Sequence, residues 1–349
     1  MTRARGWTQF AWPAAALGLL IGGALVFGRI EPEVTGKRVR VAFFPNVTHA
    51  PALAASARGE LDRALPAGTS LDVKVFNAGP EAMEALLAGE IDVSYVGPSP
   101  AINTYLKSGG RALRVLAGAC SGGAALVARA EVPIAAVKDL DGKRVAVPQL
   151  GGTQDVSLRH FLAREGLKPW EKGGSVEIVT AKNPDILALI QRKQVDAAWV
   201  PEPWASRLVH DAGATVAVDE RSLWEGGRFT TTVLVARTKF LEEQPETVQA
   251  ILRAHLQSID WLKAQPEAGK KLVNAELKRL TGKELSEQVL DEAWARVEFT
   301  SDPHQASIET FADAAVQAGY LPRGSSALAG LFHLEPLQNA LQRVAVRPN

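Results

Sequence analysis

Between Lys37 and Thr238 short apolar runs alternate with stretches of helical periodicity. That alternation restricts the chain to βαβ units built around mainly parallel sheets. A first set of strands is expected at Val39–Phe43, Leu71–Phe76, Ile91–Val96 and Leu113–Ala119. Helices follow from Pro51 to about Leu65, over Glu81–Ala88 with Gly89 as its cap, and after Pro100. Ser121-Gly122-Gly123 then breaks the pattern as a flexible crossing point. A second set begins at Ala124–Ala128 and continues through Val145–Val147, Ser175–Val179, Ala197–Val200 and Thr215–Val218. Asp185–Arg192 is a helix of this set, and Thr231–Ala236 reads as a return strand. After Thr238 strand signals fade, and Pro245–Leu262, Leu285–Val297 and Ser307–Ala318 have helical periodicity.

The most informative stretch is Val145–Leu162, a strand, a Pro/Gly loop from Pro148 through Gln149 to Gly152, and a helix opened by Thr153. Thr153 is a natural N-cap, and Val156, Phe161 and Leu162 give the helix an apolar stripe. A helix start at the carboxyl end of a strand offers free N–H groups and a positive dipole end to an anion. The plain alternative is a capped βα turn with Asp155 complementing the dipole. Comparable loops follow Phe44 and Val96, and Val200 runs into Pro201-Glu202-Pro203-Trp204. In open α/β sheets ligands bind outside the carboxyl ends of strands, so several such loops from two halves point to one cleft.

The candidate ligand-binding residues are therefore Asn46, Thr48, His49, Gly97, Ser99, Gln149, Gly152, Thr153, Gln154, Asp155, Glu202 and Trp204. Each has a plainer role open to it. Asn46 and Thr48 are suited to helix capping. Trp204 is suited to the core, and Glu202 to pairing with a hinge arginine. Two carboxylates in these loops would repel an uncompensated anion, by about 4 kcal/mol at ~4 Å and an effective dielectric of 20. Either one acid faces an ammonium or hydroxyl end of the ligand, or both are occupied elsewhere.

Other classes fare worse. A formal net charge of +1 shows none of the basic excess of nucleic-acid binders. The single cysteine, Cys120, leaves no intrachain disulfide and no cysteine-based zinc site. Nucleophile-elbow, phosphate-loop, dinucleotide and zinc-protease motifs are all missing from the sequence. Nothing fixes His49, Asp155 and Glu202 as a metal or acid–base set, so binding without catalysis or a cofactor is expected. Arg3 and Arg5 precede an apolar run from about Phe10 to Phe27, near the ~20 residues that span a bilayer. Residues 1–36 thus read as an uncleaved anchor or a cleaved signal, and either one exports the domain beyond Gly36.

In order, the segments FFPNVTHAPAL, FNAGP, GEIDVSYVGPSPAIN, DLDGKRVAVPQLGGTQD and VDAAWVPEPW resemble substrate-binding proteins of bacterial ABC importers for sulfonates, taurine and nitrate. The resemblance runs from about Arg38 to Arg237. It implies an α/β, two-lobed type II periplasmic binding protein fold, with the helical C-terminal region packed on lobe 1. Lobe 1 would comprise 37–122 plus 231–349, and lobe 2 would be 123–230, with crossings near Ser121–Gly123 and Phe229–Thr231. It also implies a small anionic or zwitterionic ligand, an ABC permease as partner, a monomer, and a periplasmic or extracytoplasmic location. Nitrate and thiamine-pyrimidine precursors are alternative ligands within the same superfamily. A membrane-tethered sensor is the alternative role. The cysteine-rich stretch of the superfamily's pyrimidine-synthesising branch is not seen here.

Overall fold

The computed structural model describes residues 37–322 and 328–345. The Phe10–Phe27 run lies outside them. The first half of the chain gives β1 (Lys37–Phe43), α1 (Ala50–Ala57), α2 (Glu60–Ala64), β2 (Thr69–Val75), α3 (Gly79–Leu87), β3 (Val93–Val96), α4 (Pro98–Lys107) and β4 (Leu113–Gly122). Next come β5 (Ala124–Arg129), β6 (Arg144–Val147), α5 (Thr153–Arg164), β7 (Glu177–Thr180), α6 (Asn183–Gln191), β8 (Ala197–Pro201), α7 (Trp204–Ala212) and β9 (Ala214–Asp219). The remainder is β10 (Thr230–Arg237), α8 (Thr238–Glu243), α9 (Pro245–Ala264), α10 (Pro266–Thr281), α11 (Glu287–Ala295), β11 (Val297–Phe299), α12 (Gln305–Ala318) and α13 (Glu335–Ala345). The helix expected from Pro51 to Leu65 is divided, because Gly59 adopts a left-handed φ of 65° between α1 and α2. Among the described residues no helix is long and apolar enough to cross a membrane.

Two sheets form. One has the order β11-β4-β10-β3-β1-β2 and the other β7-β6-β8-β5-β9. Both are more mixed than the expected parallel arrangement. Strand β10 runs antiparallel to β3 and β4, and β5 runs antiparallel to β8 and β9. The reason is the traffic between sheets: β5 enters from the first sheet and β10 returns from the second, so neither follows a local βαβ crossover. At the first passage Gly122 and Gly123 take φ of 72° and 73°, a conformation that side chains resist. A β-carbon on Gly123 would also lie 2.5 Å from Val297.

Helix α9 packs Leu252, Leu256 and Ile259 with Val41, Phe43 and Leu53 in the core of the first sheet. Helix α12 reaches further, since Ile308 and Phe311 share a cluster with Ile102 of α4 and Val156 of α5. Full burial of a side chain such as Phe311 contributes about 1.5–3 kcal/mol. The C-terminal helices thus cover the first sheet and also touch the second sheet's layer.

Candidate functional site

Five helices begin around one cavity between the sheets: α1, α3, α4, α5 and α6. Their starts contribute Thr48 and His49, Ala78 and Gly79, Gly97, Gly152 and Thr153, and Asn183 to its lining. None of the five is closed by a side-chain cap. The first N–H groups of a helix have no intrahelical acceptor, so these starts present donors and positive dipole ends to the same space. Proline stands at the first or second helical position in α1, α3, α4 and α6, which fixes those turns and removes a donor from each. Helix α5 has no such proline. The cavity encloses about 50 Å³, and among the described residues no lysine, arginine, aspartate or glutamate lines it.

Polar atoms in and beside this space are left unsatisfied. Thr153 Oγ1, Gln149 Oε1 and Asn183 Oδ1 are buried without a hydrogen-bond partner in the lining, and Ser99 Oγ is the same within the first turn of α4. Buried polar groups are normally paired, so such a cluster marks a place for a ligand or for water. His49 is buried against Phe44, with ring centroids 4.4 Å apart. Burial pushes its pKa down to about 3, which keeps the ring neutral near pH 7. The Phe44 N–H donates to Nδ1 at 3.3 Å, which assigns the ring proton to Nε2 and makes that atom a donor.

Of the sequence-predicted residues, Asn46, Thr48, His49, Gly97, Gln149, Gly152, Thr153 and Gln154 all line the cavity. Thr153 has a different job from the one expected. The N-cap of α5 is Gly152, and Thr153 is the first helical residue with its hydroxyl unused. Ser99 is one residue behind the start of α4 and does not reach the lining.

The two acids are engaged elsewhere. Asp155 accepts from the Gly151 N–H at 2.7 Å, from Arg159 Nε at 2.8 Å and from the Tyr320 hydroxyl. Glu202 accepts from the Ser206 N–H and hydroxyl, each at 3.1 Å, and from Arg296 at 3.0 Å. Burial holds the Glu202 carboxyl above the usual range, against those donors. Trp204 lies beside the cavity, and its indole N–H donates to Asn46 Oδ1 at 3.2 Å. Sequence reasoning missed Gly79 and Asn183 as wall residues, although Gly79-Pro80 and Asn183-Pro184 repeat the signature of the loops it did find. No group of three or more His, Cys, Asp and Glu able to hold a metal occurs among the described residues.

Two α/β sheets traversed twice by the chain, with a cavity of helix starts between them, define a two-lobed periplasmic-binding-protein fold. Residues 32–276 match the NMT1-like family, and the chain belongs to it. It is 31% identical over 214 residues to the taurine-binding periplasmic protein of Escherichia coli (strain K12), an alignment covering 59% of this chain and 63% of that protein. Among solved structures it resembles the periplasmic nitrate-binding protein NrtA from Synechocystis PCC 6803, with a TM-score of 0.75, 17% identity and 90% of each chain covered. It also resembles the alkanesulfonate-binding protein SsuA from Xanthomonas axonopodis pv. citri bound to MOPS. There the TM-score is 0.70 at 21% identity, over 85% of this chain and 98% of that one. These two structural likenesses speak for the fold.

Proposed function

We propose that the protein is an exported solute-binding protein of an ABC importer that closes its two lobes over a small oxyanion, a sulfonate by first choice. In this reading lobe 1 comprises 37–122 plus 231–349 and lobe 2 comprises 123–230. The permease is its membrane partner, the protein works as a monomer without nucleic acid, and it performs no chemistry on the ligand. One observation carries the proposal: five uncapped helix starts and the unpartnered Thr153 hydroxyl face one cavity that no charged side chain lines among the described residues. Fixed neutral donors select an anion by the placement of its acceptor oxygens. A cavity of about 50 Å³ suits a head group the size of a sulfonate or nitrate.

The taurine named by the relative supports the sulfonate head. Its ammonium end finds no matching acid here, because Asp155 and Glu202 are bound to Arg159 and Arg296. A plain organosulfonate is therefore the favoured form, and nitrate is the second choice on size. Titration calorimetry with methanesulfonate, taurine and nitrate tests the reading. Saturable binding of methanesulfonate, with taurine weaker, is the expected result; no binding of any of the three would sink it.

A further inference from the structure

A second and larger cavity, of about 460 Å³, adjoins the first. Asn46 and Asn183 line both, so the two spaces meet at that pair. Where the first cavity is walled by polar groups, the second is walled by Val75, Leu187, Leu280, Leu285 and the indole of Trp204. Val75 leaves 43% of its surface exposed there, an apolar side chain facing open space at the end of β2. At the boundary Asn183 is only 8% exposed and its Oδ1 has no partner, so the junction itself is unsatisfied.

Charge on this second cavity has one sign. Lys182, Arg207 and Lys283 contribute to its lining, and among the described residues no carboxylate does. Arg207 is already occupied: it donates to Asp211 at 2.9 Å and lies 4.6 Å from the centre of the Trp204 ring. The ammonium groups of Lys182 and Lys283 have no ion-pair partner among the described residues. A mainly apolar chamber that adjoins an oxyanion site and is lined by two unpaired cations fits the rest of an elongated ligand that carries a second negative charge.

We propose that the second cavity receives the body of the ligand whose oxyanion head occupies the first, and that Lys182 and Lys283, which line this second cavity, hold a second anionic group. The substrate class is then an amphiphilic dianion: a disulfonate or sulfocarboxylate with an apolar linker of several carbons. This rests on the oxyanion reading of the first cavity.

Titration calorimetry on the full chain, at fixed ionic strength, separates the two claims with three probes: methanesulfonate, 1-hexanesulfonate and 1,6-hexanedisulfonate. Hexanesulfonate is expected to bind about tenfold or more tighter than methanesulfonate, from burial of its methylenes. The disulfonate gains about a further fivefold, which shrinks as salt is raised. Replacing both lysines (Lys182→Gln with Lys283→Gln) removes that last gain and leaves hexanesulfonate unchanged. Leu187→Asn weakens hexanesulfonate and leaves methanesulfonate unchanged. If methanesulfonate binds and hexanesulfonate is no tighter, the second cavity is no tail site, while the oxyanion reading stands. A disulfonate no tighter than hexanesulfonate, or one indifferent to the lysines, overturns the dianion class. If neither methanesulfonate nor hexanesulfonate binds, the oxyanion reading falls and takes this inference with it.

Discussion

Gly97→Ala isolates lobe closure from folding. Gly97 has φ −66° and ψ 152°, a conformation any residue adopts, so alanine adds no backbone strain. Its new β-carbon would lie 2.2 Å from Thr153 Oγ1, 3.3 Å from Thr153 Cβ and 3.7 Å from the Thr231 carbonyl. Gly97 follows β3 in the first sheet, and Thr153 opens the helix after β6 in the second. The principal clash is therefore between the two lobes and vanishes when they part. Overfilling a close contact costs about 1–3 kcal/mol. With about 1.4 kcal/mol per tenfold, affinity for the bound anion should fall roughly 5- to 150-fold. Urea unfolding of the ligand-free protein should move by less than about 0.5 kcal/mol if, as proposed, the ligand-free lobes part and relieve the clash. Calorimetry gives the first number and denaturation the second. X-ray scattering supplies a third readout, a ligand-induced contraction present in wild type and reduced in the variant. Thr153→Ala removes the hydroxyl that the new methyl strikes, so Gly97→Ala should cost less in that background. Wild-type affinity in Gly97→Ala, or an equal cost with and without the Thr153 hydroxyl, would refute the argument.

Three further outcomes concern the site and its supports. Thr153→Ala should weaken anion binding roughly 10- to 150-fold while Thr153→Ser stays near wild type, since hydrogen bonds to charged groups contribute about 1.5–3 kcal/mol; equal loss in both would show that the hydroxyl is not a ligand donor. Glu202→Ala takes from Arg296 its buried acceptor but leaves it Glu292 at 3.8 Å and the Ser206 hydroxyl, and should cost about 1–3 kcal/mol in denaturant unfolding, with the ratio of taurine to methanesulfonate affinity unchanged. A changed ratio would return Glu202 to the ligand. Glu220 is buried and accepts from the Trp199 and Trp224 indoles and the Ser157 hydroxyl. Burial holds its pKa up to about 7 against an ordinary 4.5. Because the folded value is the higher one, its stabilising contribution is full below pH 4.5 and is lost as pH rises to about 7. Wild type should therefore lose stability relative to Glu220→Gln across that window. A difference that stays flat with pH would contradict the burial argument.

What could be read from the sequence was what is encoded locally. Each strand-end loop carries its own glycines, prolines and hydroxyls, so the loops after Phe44, Val96 and Val147 were recognisable as walls of one cleft. The crossing at Gly122-Gly123 was visible for the same reason, because only glycine accepts those torsions readily. Sheet polarity was not legible, since the direction of β10 and β5 depends on which sheet each enters from. The two acids have near partners four residues off, Arg159 and Gly151 for Asp155 and Ser206 for Glu202, but their other partners were hidden by distance along the chain. Arg296 is 94 residues from Glu202, and Tyr320 is 165 from Asp155. No local pattern announces such pairs. Helix α10 did have its signal, an apolar stripe of Leu272, Val273, Leu277 and Leu280, yet no helix was expected there.

The neutral lining of the cavity also fixes what a captured anion does to the protein's charge. A histidine free to titrate near pH 7 would answer an arriving anion by taking up a proton, and the complex would keep its charge. His49, held neutral down to about pH 3, does not answer, and no other titratable group lines the space among the described residues. A monoanion therefore enters with its whole charge uncompensated, taking the chain's formal +1 at pH 7 to zero. Empty and loaded molecules should then separate by electrophoretic mobility at neutral pH, and their difference in migration counts the charges on the ligand.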